Sequence, residues 1–78
     1  MTGKEIERLR WRCRRGMLEL DLVLTAFLDR HAAALDARQT GQLQALLDLP
    51  DNELWDLIAT SAEPEQGVRE MVLLLRAT

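Results

Sequence analysis

Seventy-eight residues, 47% hydrophobic and 29% charged, suffice for one small core and leave little room for an enclosed substrate cavity. The net charge of −3 hides a strong polarity, because residues 1–16 carry +4 and the remainder −7. One cysteine and one histidine, eighteen residues apart, exclude an internal disulfide and offer no metal-ligand spacing, so no metal site is expected.

Leucine and alanine dominate, tyrosine is absent, and no strand-type alternation persists, so every element is read as helical. A first helix is predicted over residues 4–15, with Ile6, Leu9 and Cys13 at helical period and Met17 continuing the stripe. Gly16 follows as the junction, the residue type that most readily adopts a left-handed turn after a helix. The second helix is expected over 18–31, with Leu20, Leu24, Phe27, Leu28 and His31 sharing a face, and 32–35 adding a turn.

Asp36 opens the third helix in a D-x-x-Q capping box with Gln39, ahead of a buried stripe of Leu43, Leu46 and Leu47. Pro50 stops it, and Asp51 is the expected N-cap of a fourth helix with Leu54, Trp55, Leu57 and Ile58 on its apolar face. Pro64 suits the first turn of a fifth, where Val68, Met71, Val72 and Leu75 recur. Residues 1–78 are thus expected to form a single all-α five-helix bundle.

The chemistry-bearing stretch is the first junction. On continuous helical geometry Arg8, Trp11, Arg12, Arg15 and Glu19 are spaced by three or four, so they can share a surface near Gly16, with Met17 and Asp21 adjoining. Arginine and tryptophan are enriched where interfaces draw most of their binding energy. A duller reading stays open: Trp11 covers the edge of the core and the arginines pair with local acids. No nucleophile–base pair can be named, so the chain is not expected to be an enzyme.

Arg15-Gly16-Met17-Leu18-Glu19 resembles the R-G-x-x-E motif of the succinate dehydrogenase flavin-assembly factors, a bacterial family related to a mitochondrial assembly factor. Trp11-x-Cys13-Arg14-Arg15-Gly16-Met17-x-Glu19-Leu20-Asp21 is similar to its bacterial members, with a looser match at Leu46-Leu47, Asp51 and Pro64. The resemblance implies a five-helix protein that promotes covalent attachment of FAD to the flavoprotein subunit of succinate dehydrogenase, and often of fumarate reductase. It implies no FAD held tightly by the chain itself. The motif residues Arg15, Gly16 and Glu19 would face the client near its flavin site. Some relatives carry a polar tail that would follow Thr78.

The expected partner surface is therefore Arg8, Trp11, Arg12, Arg15, Gly16, Met17, Glu19 and Asp21, on a monomer. Charges near the N-terminus where a signal peptide would be apolar, and no apolar run of membrane length, make a cytoplasmic location the expectation. An antitoxin-like protein-binding role is the nearest alternative. Nucleic-acid binding by the arginines is weaker, because the sequence pI is about 5.0.

Overall fold

In the computed structural model, which describes residues 2–78, five helices enclose one hydrophobic cluster. Helix α1 spans Gly3–Arg12, α2 Leu18–His31, α3 Ala37–Leu47, α4 Asp51–Ala59 and α5 Arg69–Arg76, with short 3-10 turns at Ala32–Ala34 and Gln66–Val68. No strand occurs among the described residues. None of these helices is long and apolar enough to cross a membrane.

Two helix starts have a local cause and a third is supported from a distant helix. The Thr2 hydroxyl accepts the Glu5 N–H at 3.2 Å and caps α1. Asp36 and Gln39 close the predicted capping box, with Asp36 Oδ1 accepting the Gln39 N–H at 2.7 Å and Gln39 Oε1 accepting the Asp36 N–H at 3.1 Å. The Gln42 carboxamide oxygen accepts the Met71 N–H at 3.1 Å, so α3 satisfies an orphan donor at the start of α5.

Three boundaries depart from the predicted ones. Helix α1 stops at Arg12 instead of Arg15, and residues 13–17 are non-helical around Gly16, whose φ is +84°. The stripe expected to run on to Met17 therefore bends at the glycine. Pro50, not Asp51, is the N-cap of α4; the Asp51 carboxylate is occupied by Arg15 and caps nothing. Pro64 is buried in an irregular segment rather than in the first turn of α5. Arg76 braces that segment, donating to the carbonyls of Leu57 at 2.9 Å and Ala62 at 2.6 Å.

The core is aliphatic, with Phe27 fully buried among Leu20, Leu24, Leu43, Leu54 and Met71. Trp55, expected inside, is half-buried against the cluster. His31 is half-buried, its ring centroid 4.9 Å from that of Phe27. The single thiol, Cys13, is buried, and loss of solvent pushes it up from 9.0 to about 11 despite the opposing pull of Arg15, Arg10 and Arg12.

Helix α1 lies between two others. Leu9 faces inward, while Arg10 reaches Asp29 of α2 at 2.7 Å and Arg12 reaches Asp48, just past α3, at 2.5 Å. Residues three and four apart stack on one helical face, so Lys4, Glu7, Arg8 and Trp11 form the side turned away from the core. All four are exposed.

Candidate functional site

Arg15 does not join the other arginines on an exposed face. Its guanidinium turns inward with 12% of the side chain exposed, donating from Nε to the Asp51 carboxylate, from Nη1 to the Leu47 carbonyl at 2.7 Å and from Nη2 to the Leu49 carbonyl. Continuous helical spacing placed it beside Arg12, but the chain leaves the helix after Arg12 and the spacing argument lapses there. Glu19 belongs for the same reason to a different helix, in the first turn of α2. It is exposed and makes no ion pair or side-chain hydrogen bond among the described residues.

The bend itself is held by Asp21. Its two carboxylate oxygens accept the backbone N–H of Arg15 at 2.9 Å and of Gly16 at 3.3 Å. Asp21 and Met17 are each half-buried, Met17 against the core cluster, so both support the junction from beneath. Gly16 is exposed, and a Cβ built on it would meet nothing within 4 Å. Its left-handed φ, not crowding, is what calls for glycine.

Three large apolar side chains stand in solvent on the two helices that flank this bend: Trp11 at 72%, Leu18 at 69% and Leu22 at 61% exposure. The open reading of Trp11 as a lid on the core edge is thereby settled against. Its indole carries the Arg14 guanidinium, 5.5 Å from the ring centroid. Leu18, Leu22 and Asp29 lie at spacings of four and seven on α2, hence in one row. The Arg10–Asp29 ion pair ties α1 to the other end of that row, about 10 Å along the axis from Leu22.

Sequence reasoning placed neither Leu18 nor Leu22 on the partner surface. The signal was present: both are out of phase with the buried Leu20, Leu24, Phe27 and Leu28, so the outer side of α2 is apolar at Leu18 and Leu22 before turning polar at Thr25 and Asp29. Arg8 and Arg14 form no ion pairs among the described residues, whereas Arg10, Arg12 and Arg15 are each matched to an aspartate. Arg12 keeps 41% of its side chain exposed and remains at the edge of the face.

The best-formed groove lies elsewhere, about 470 Å³ between α3 and α4, floored by Leu46, Leu49, Leu57 and Val68 and rimmed by Glu53 and Asp56. It holds no histidine, cysteine or lysine to partner those carboxylates in catalysis. No group of three metal-ligating side chains occurs among the described residues.

An all-helical scaffold that leaves an aromatic, two leucines and unpaired arginines in solvent on the helices either side of a glycine bend carries residue types that are common at protein-binding surfaces. The model of the family described as flavinator of succinate dehydrogenase matches residues 7–78, and the chain belongs to that family. The FAD assembly factor SdhE of Ralstonia nicotianae is 44% identical over 75 residues, covering 90% of this chain and 79% of the relative. Its counterparts are 40% identical in Legionella pneumophila, covering 97% of this chain and 96% of the relative, and 36% identical in Pseudomonas aeruginosa, covering 91% and 86%. No solved structure matches.

Proposed function

We propose that this chain docks on the flavoprotein subunit of succinate dehydrogenase and promotes covalent attachment of FAD there, acting as a non-catalytic assembly factor. The observation that carries the reading is the exposure of Trp11, Leu18 and Leu22 on the two helices that meet at the open, left-handed Gly16, in a chain whose relatives bear the name FAD assembly factor. Arg8, Arg14 and the edge residue Arg12 supply charge-assisted donors to the client, and Glu19 supplies an unpaired acceptor. Gly16 permits close backbone approach, while Met17 and Asp21 hold the bend in shape.

The client provides the chemistry, because attachment of a flavin requires negative charge to be stabilised on the ring as the bond forms. This chain shifts the client toward a competent conformation by binding that conformation better than its alternatives. It acts as a monomer in the cytoplasm, residues 1–78 forming one unit, and holds no FAD of its own. Fumarate reductase, which the family resemblance also implies, is the second expected client. Neutralisation of Arg10, Arg12 and Arg15 by aspartates weighs against a nucleic-acid role, which needs cations free for phosphates.

The test is covalent flavin fluorescence of the dehydrogenase subunit on a denaturing gel, with and without this chain. Gly16→Arg is expected to abolish both client binding and stimulation while helix content stays near that of the parent. Any side chain at φ +84° costs roughly 1–2 kcal/mol of backbone strain, so Gly16→Ala separates strain from bulk and should retain most of the stimulation. Normal flavin attachment with Gly16→Arg would refute the choice of surface.

A further inference from the structure

We infer that Arg15, together with Asp51 and Asp21, is a positioning device for client docking: a polar clamp that holds the Gly16 bend ready, with no contact between Arg15 and the client. The inference rests on the docking role proposed above and assigns work to two aspartates outside the motif.

Core packing anchors the two ends of the bend, through buried Cys13 and half-buried Met17, but does not reach its middle. Gly16 is exposed and the space around it is open, so packing leaves its own conformation free. Polar ties supply the constraint instead. Backbone N–H groups of Arg15 and Gly16 both end on Asp21, in the first turn of α2. The Arg15 side chain ends on Asp51, the first residue of α4, and on the carbonyls of Leu47 and Leu49 at the close of α3.

Those carbonyls lack helical partners, and a cation there and a carboxylate at the start of α4 both complement the helix dipoles. One arginine therefore fastens the α1–α2 junction to the α3–α4 junction. All three guanidinium nitrogens are engaged and only 12% of the side chain is exposed. A bend ordered before binding spares the complex the entropy of ordering it, which raises affinity without adding a contact.

The competing picture is that Arg15 swings out to grip the client, and Asp51→Asn distinguishes the two. Under the clamp, removing the carboxylate charge loosens the bend and weakens docking. Under the swinging arm it frees the guanidinium, so docking holds or tightens. Arg15 retains its two carbonyl acceptors in the variant, so the fold should survive, as circular dichroism can verify. Asp51→Glu keeps a carboxylate and should recover most of the effect.

Two readouts follow. Amide hydrogen exchange at Arg15 and Gly16 should quicken at least about tenfold in Asp51→Asn, with Met71, Val72 and Leu75 of the core within about twofold of the parent. Affinity for the flavoprotein subunit should fall about tenfold. Unchanged exchange at the two bend amides would overturn the clamp. So would client binding equal to or tighter than that of the parent. Failure of the parent chain to bind the flavoprotein subunit would overturn the docking role and, with it, the clamp's part in docking, while the exchange result would still report whether the clamp exists.

Discussion

Trp11→Ala is expected to separate binding from folding. The indole is 72% exposed, so of the roughly 250 Å² that a buried tryptophan covers, about 180 Å² is still available to a partner. At about 25 cal/mol per Å² this sets a ceiling of about 4.5 kcal/mol on what docking can draw from the ring. Ordering costs at an interface reduce that figure, and truncation of a tryptophan hot spot typically removes about 2–4 kcal/mol, or roughly 30- to 1,000-fold in affinity. The folding side of the comparison is small. The ring is not part of the core cluster, its Arg14 contact is worth about 0.5–1 kcal/mol, and alanine is the better helix former. Isothermal titration against the flavoprotein subunit should show the loss, with the thermal midpoint of the variant within a few degrees of the parent. Affinity within threefold of the parent would refute the placement of Trp11 at the interface; a collapse in stability would refute its description as a solvent-exposed side chain.

Two further outcomes test the interior. Phe27 is fully buried, and Phe27→Ala should cost about 3–5 kcal/mol, a large share of the roughly 4–12 kcal/mol expected for a domain this size. Urea titration followed by circular dichroism should show a much lower midpoint with the slope preserved. Cys13, raised to about 11 from 9.0, favours its neutral form in the folded state. That contribution is fully present below the unfolded value and is lost as pH climbs from about 9 through about 11. Cys13→Ala should therefore flatten part of the stability decline over that window, and the native thiol should resist alkylation at pH 8 until denaturant is added.

The local rules reached far into this chain. The 18–31 helix, the Asp36–Gln39 capping box and the left-handed Gly16 each depend on residues within a few positions of one another, and each stands where the spacing placed it. Errors arose where local reasoning was extended beyond its reach. Carrying α1 on to Arg15 put its guanidinium on the wrong side of the molecule, and placing Asp51 as a cap overlooked a partner 36 residues upstream. Leu18 and Leu22 were legible in principle, as apolar residues out of phase with the buried stripe, yet their exposure depends on what packs against the far side of α2.

Helical class, element order, the break at the glycine and the basic polarity of the opening segment were thus determined by the sequence alone, because period, capping and backbone preference act over one or two turns. Which arginines are spent within the fold and which remain free was decided only by the tertiary structure. Packing brings the end of α3 and the start of α4 to the α1–α2 bend, and a guanidinium turns to whichever carboxylate and orphan carbonyls it finds there.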